Sequence, residues 1–550
     1  MKVKKFLVLA VLGLVFLSGI SYAAQPEDAL STRPDDSLYF VLRLGDTAKF
    51  LQWLVSNENV QLFMPLILGS KESNEIIGTI EILNTVVQNT PLKSAALVVG
   101  INKSDVKARA PFFQMAFTVN PVVSSVVRSI ASGTAEAKDI AKLILGDSNA
   151  ALLSIAETVI KVERGEDGTF KINNEVFMKA ADDLVILGTS LEDVISSVNA
   201  LEDSGARLFA SKTKRFDAED FAFLHIDYET AAELESDDAD LAETKHYFDK
   251  PLEIEFAFKR FVGKFAVSAG MNIKEAMSPK YINRIWNGYE PEAVKGGNIN
   301  PKNIGKSKTP LIAIGTLLNM QRLKESTSFR QTWNKAVREA QKRFGLTEED
   351  LTGALTGPFS AAVNDSVTFE GFKIPALYLS HTGKEGAAET LYDKLTKSQH
   401  FMKVQEGVLQ LDSSISPISC LVVKDGDTLG IDFAELSNLG GTPELKPAFA
   451  ELMNHESVAA FWLDFAGIRD WLLDDSNGVF TSLAPLAAIM GYGKYVQAFR
   501  DVLGAEFSVP SLSVWSESNE VFHAEFAVAE IDPQKGFLSK VIKLYSDFMK

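Results

Sequence analysis

Cysteine is almost absent from this chain. Cys420 is the only one in 550 residues, so no disulfide can form within the chain. No cysteine follows the first apolar run, which leaves no attachment point for a lipid of the bacterial lipoprotein kind. Basic residues are outnumbered: 55 Lys and Arg face 72 Asp and Glu, for a formal charge of −17. That field repels phosphate backbones and anionic headgroups, and no Lys/Arg cluster offsets it, so no nucleic-acid partner is expected. Long apolar runs are missing too. Beyond residue 23 no charge-free stretch reaches the roughly 18 residues of a spanning helix, so no membrane span is expected after signal cleavage.

What is present begins at the N-terminus. Lys2, Lys4 and Lys5 precede an apolar run from Phe6 to Ile20, and Ser21-Tyr22-Ala23 puts small residues where a signal peptidase reads them. This pattern predicts a cleavable secretory signal at 1–23 and a mature chain, beginning at Ala24, that is periplasmic or secreted. With 46% hydrophobic residues the remainder can build a substantial core, and its length suits two large domains or three smaller ones.

Internal repetition is the second signal. The strand Leu38–Leu44 followed by Gly45-Asp46 and a helical pattern with Phe50, Leu51 and Leu54 matches Leu311–Leu317, Asn319 and a helix through Phe329, Trp333 and Phe344. Asp46 and Asn319 both suit the helix N-cap. Ser94–Val99 and Pro111–Phe117 match Ser360–Val363 and Pro375–His381, each pair followed by a helix. The second of these helices is predicted to open with a capping box of Thr382 and Glu385. Asp182–Thr189 resembles Asp425–Ile431, and Phe221–Tyr228 matches Val458–Phe465. A hairpin closes each half, Leu252–Phe258 with Phe265–Met271 and Ser511–Trp515 with Val521–Val528.

The expected class is therefore α+β: two similar tandem halves, largely antiparallel sheets with flanking helices. The predicted division is a signal at 1–23, a first repeat at 24–278, a Pro- and Gly-rich linker at 279–310, a second repeat at 311–532 and an amphipathic C-terminal helix at 533–550.

The paired strand-helix units carried by Leu38-Tyr39-Phe40-Val41, Leu184–Leu187 and Phe223–Asp227, placed after a signal peptide, resemble a family of uncharacterised exported bacterial proteins, a domain of unknown function. The resemblance implies the architecture and brings no catalytic residues.

No catalytic, cofactor or metal site is predicted, and each candidate has a structural reading. Gly305-Lys306-Ser307 ends like a phosphate-binding loop, but Asn300 stands where its first glycine belongs and Pro301 interrupts it. Asp46-Thr47-Ala48 follows a strand as in an aspartic protease, yet the matching Asn319 cannot supply the second carboxylate. Asp227 and Asp464 match across the halves and read as helix caps. Ser104 and Lys107 have Ser-x-x-Lys spacing in a polar loop where a buried helix is required. Cys420 reads as a small core residue. The histidines His225, His246, His381, His400, His455 and His523 form no His-x-x-x-His pair, so a metal site would need ligands from distant segments. Asp227 to Glu243 carries eight acidic residues and no basic one, and reads as a solvated helix face.

These features predict a non-enzymatic exported envelope protein, a binding or scaffold module whose partner is an envelope protein or an apolar ligand. Carriage of a lipid in a cavity under curved sheets is the first alternative. A hydrolase with an unrecognised site is the second.

Overall fold

The computed structural model describes residues 25–45, 94–135, 162–234, 244–281, 292–300, 309–433, 445–529 and 540, with breaks of one to three residues inside these ranges. The leader at 1–23, Asp46 and its helix, Gly305-Lys306-Ser307, the acidic run beyond residue 234 and the predicted C-terminal helix, except Lys540, lie outside them. Two compact units divide the chain. One comprises residues up to Lys259 together with Ser268–Asn287, the other Arg260–Val267 together with everything from Gly288. Both combine helices with antiparallel sheet, an α+β architecture.

In the first unit the strands are β1 (Ser37–Leu44), β2 (Ala95–Asn102), β3 (Phe112–Thr118), β4 (Val162–Arg164), β5 (Phe170–Ile172), β6 (Val176–Ala181), β7 (Leu184–Gly188), β8 (Asp220–Ile226) and most of β9 (Leu252–Phe261); β9 continues into β10 (Lys264–Met271), and residues 260–267 at the turn of this hairpin count with the second unit. Their lateral order is β4-β5-β6-β7-β3-β2-β1-β8-β9, antiparallel at each step. Helices follow β3 (Pro121–Ser132), β7 (Leu191–Glu202) and β8 (Tyr228–Leu234). The first stops at Gly133, which adopts φ 83°, the left-handed geometry that ends helices, and whose N–H donates to Ile130 O. Ser190 opens the second with a capping box, accepting from Asp193 N while the Asp193 carboxylate accepts from Ser190 N. The core under the central strands is Tyr39, Val41, Val98, Phe221 and Phe223 against Leu30 and Leu208.

The second unit contains β12 (Ile312–Leu318), β13 (Gly357–Phe369), β14 (Phe372–Thr382), β15 (Phe401–Gln405), β16 (Val408–Leu411), β17 (Leu421–Asp425), β18 (Thr428–Asp432), β20 (Ala459–Asp464), β21 (Ser511–Ser518) and β22 (Val521–Ala527). A small ribbon of β11 (Val294–Lys295) and β19 (Glu456–Ser457) lies beside them. The order is β15-β16-β17-β18-β14-β13-β12-β20-β21-β22, again antiparallel throughout. Helices follow β12 (Thr327–Phe344), β14 (Ala387–Thr396) and β20 (Phe465–Leu473), and another, Pro447–Leu452, precedes β19. Trp462 anchors the core: it is fully buried, packs on Phe449 at 5.3 Å, and its indole N–H donates to Pro310 O at 2.8 Å. Side chains buried to that degree contribute roughly 1.5–3 kcal/mol each.

The expected capping box of Thr382 and Glu385 does not form. β14 runs through Thr382, whose hydroxyl meets Thr428 across the ladder at 2.7 Å. The helix starts later, at Ala387, behind a left-handed Gly386. Of the segment predicted as a linker, residues 294–299 are built into the second unit. Ile299 joins the Trp462 core, and Gly315 has no side chain because a Cβ there would meet Ile299 N at 2.2 Å. No helix among the described residues is long and apolar enough to cross a membrane.

Candidate functional site

The three adjacent strands β1, β8 and β9 set one face of the first unit. Their ladders align Tyr39 with His225 and His225 with Glu253, which puts phenol, imidazole and carboxylate side by side. Tyr39 and His225 stack with ring centroids 4.6 Å apart and planes 9° off parallel. His225 Nε2 lies 3.0 Å from the Asp35 carbonyl and therefore donates to it, while Nδ1 stands 3.3 Å from Glu253 Oε1. With Nε2 committed as donor, a hydrogen bond on the other side needs a second proton, on the ring or on the carboxylate.

Lys212 completes the array. Its ammonium is 2.5 Å from Glu253 Oε1 and 3.6 Å from Asp35 Oδ1. Burial alone would raise the Glu253 carboxyl, but hydrogen bonds from His225 and Lys212 outweigh it and hold its pKa below the ordinary value. Tyr39 moves the other way: burial first, then the charges of Glu253 and Asp35, push its hydroxyl upward. That hydroxyl is enclosed and has no hydrogen-bond partner. Backbone geometry supports the carboxylates. Glu253 N–H donates to Asn272 Oδ1 at 2.7 Å, and buried Glu255 accepts from the N–H groups of Arg215 and Phe216.

Asp35, Lys212, His225, Glu253 and Glu255 border a cavity of about 710 Å³, whose wall also includes Phe223, Lys250, Gly270 and Glu275. Lys250 and Glu275 form a further ion pair at 2.7 Å. Cationic and anionic groups thus sit side by side in the wall, and among the described residues no Ser, Thr or Cys lines it. The arrangement can bind a polar molecule and exchange protons with it. A second polar hollow, of about 570 Å³, adjoins Arg33. The Arg33 guanidinium lies 4.0 Å over Phe112 and pairs with Asp193 at 3.1 Å, so its charge is already neutralised.

Of the candidates singled out from the sequence, those among the described residues do not converge on this cleft, apart from His225. Asp227 caps the helix after β8, accepting from Thr230 N–H at 2.9 Å. Asp464 caps the helix after β20, accepting from Gly467 N–H at 2.8 Å, and also pairs with Lys446. Asn319 directly precedes the short helix Met320–Leu323. Ser104 and Lys107 are exposed around a single 3-10 turn. Cys420 is buried just before β17, and burial followed by the charge of Asp432 pushes its thiol up to about 11, far from a reactive thiolate. His381 is enclosed in β14, where burial lowers its pKa to about 4. His246 is exposed, and His400 packs edge-on against Phe344.

Sequence reasoning missed Glu253, Lys212, Asp35 and Tyr39. One signal was present: Leu252-Glu253-Ile254-Glu255-Phe256 puts two carboxylates on one face of an otherwise apolar strand. No protein-family model, curated protein or solved structure matches this chain.

Proposed function

We propose that the protein is a non-enzymatic binding module built from two copies of one antiparallel α+β unit, and that the first copy holds a small zwitterionic ligand in the His225–Glu253–Lys212 cleft. The observation that carries this reading is the cleft wall itself, where the Lys212–Glu253 and Lys250–Glu275 pairs set ammonium beside carboxylate. A ligand bearing both charges can insert between such pairs and leave neither partner unpaired, the condition that buried charge demands. The lysine-led apolar leader supports placing the module outside the cytoplasm.

Duplication is supported by the ladders. Setting Phe117 on His381, as the sequence match does, carries Val98 onto Ala362 through the next ladder and Val41 onto Ala313 through the one after. Both Val41 and Ala313 are 0% exposed. The next steps set Phe223 on Trp462 and Glu255 on Ser513, again buried with buried. In the same frame His225 falls on Asp464 and Glu253 on Ser511. The second copy therefore lacks the His225–Glu253 pair, and this frame sets Asp227 on Ala466, two residues beyond its sequence match Asp464.

Thermal-shift titration of the full chain with free amino acids and dipeptides tests the ligand class. A binder raises the melting temperature with its concentration. Zwitterionic compounds should do so, their doubly blocked analogues should not, and Lys212→Met should remove the effect. Equal shifts from blocked compounds would contradict the reading. Carriage of an apolar ligand is a second reading. It is favoured by a separate hollow of about 510 Å³ lined by Leu38, Phe40, Val99, Ile101 and Leu224.

A further inference from the structure

In the second unit, two carboxylates and an imidazole converge on one cationic centre. Lys264 Nζ stands 2.8 Å from Glu451 Oε1 and 2.7 Å from Glu525 Oε2. One donor atom each from Glu451, His455 and Glu525 lies within 4.8 Å of the others. Glu451 belongs to the helix Pro447–Leu452, His455 follows that helix, and Glu525 comes from β22, so two segments far apart in sequence supply the three. His455 is held in place from one side, its ring stacked on Trp515 at 4.1 Å and 8°. Its Nε2 is enclosed without any hydrogen-bond partner. A buried polar atom left unpaired is costly and uncommon in native structures.

We propose that Glu451, His455 and Glu525 form a divalent transition-metal site of the zinc and nickel class, with Lys264 as the cation that the metal displaces. The ammonium satisfies the two carboxylates and leaves the enclosed His455 Nε2 without a partner. A metal satisfies all three. Zinc takes imidazole nitrogen and carboxylate oxygen at about 2.0–2.2 Å, which brings ligand atoms to roughly 3–4 Å of one another. The half-exposed Glu451 side chain can close that gap by rotating. An imidazole beside two carboxylates suits borderline metals better than calcium or magnesium, which prefer all-oxygen shells. Lys264, a quarter exposed, has solvent to swing into once displaced.

The test is titration of the full chain with Zn²⁺ and Ni²⁺, followed by calorimetry and by tryptophan emission. His455 lies on Trp515, so metal binding should change emission in the wild type and leave Trp515→Phe emission unchanged while the calorimetric signal persists. Binding should be saturable with one equivalent. Glu525→Gln and His455→Phe should each lose it. Lys264→Ala, by removing the competing charge, should tighten it at least about fivefold, the equivalent of one water-screened interaction between unit charges about 4 Å apart. That gain separates a metal site from a salt-bridge cluster, because a variant that merely unfolded would bind more weakly. Absence of saturable binding, or affinity that is the same in Lys264→Ala and Glu525→Gln as in the wild type, would overturn the proposal and leave an ion-pair network only.

Discussion

At the scale of single residues, Glu253 holds the cleft together. It accepts from His225 and Lys212 at once, and its pKa is held below the ordinary carboxylate value despite burial. A depressed carboxylate contributes stability that is present above its unfolded pKa of about 4 and is lost as pH falls through the lower, folded value. Melting of the wild type should therefore fall steeply below about pH 4, and Glu253→Gln should show a shallower acid limb. Because the side chain is a quarter exposed, the difference should not exceed about 1 kcal/mol. Superimposable acid limbs would mean that Glu253 carries no such load. Asp432 is the contrasting case. Desolvation in its strand pushes its carboxyl up to about 7, with one oxygen enclosed and unbonded. Two acids of one chain thus shift in opposite directions, one because it has partners and one because it lacks a visible one.

Helix starts and strand frames belong to the scale of elements. Asp227 and Asp464 each end a strand and cap the helix that follows, the arrangement that their place after apolar strands predicted. Replacing either with alanine should cost about 0.5–2 kcal/mol. Asp464→Ala should lie at the upper end, since Asp464 is fully buried and its loss also strands Lys446. Thermal melts of the two variants check the order, and equal small losses would contradict it. Much at this scale was legible. The strands Leu38–Leu44 and Phe221–Ile226 and the closing hairpins Leu252–Met271 and Ser511–Val528 announce themselves by apolar content between turns. The capping box at Thr382 was not legible, because whether a strand continues through a threonine depends on its ladder partner, here Thr428. Frame was also hard to read. Similarity alone sets Leu38 on Leu311, whereas the ladders set Tyr39 there. A one-residue slip exchanges the two faces of a strand, and a strand that is apolar on both faces conceals the slip.

For the whole molecule, the proposal is one fold used twice and differentiated once. The two units share a lateral strand order, with helices after the equivalent strands β3 and β14 and β8 and β20, and the ladder frame makes Asp464, Ser511 and Ser513 the equivalents of His225, Glu253 and Glu255. The cleft was not legible because its parts come from Asp35, Lys212, His225 and Glu253, far apart in sequence and brought together only by the order β1-β8-β9 and the loops beside it. The central claim is that this cleft holds a small molecule carrying both charges. Native mass spectrometry of the full chain, purified from cells that make it, tests the claim most directly. The account predicts a bound polar molecule of low mass in the wild type and none in Lys212→Met. A wild-type protein that carries a lipid, or retains the same adduct in Lys212→Met, would contradict it.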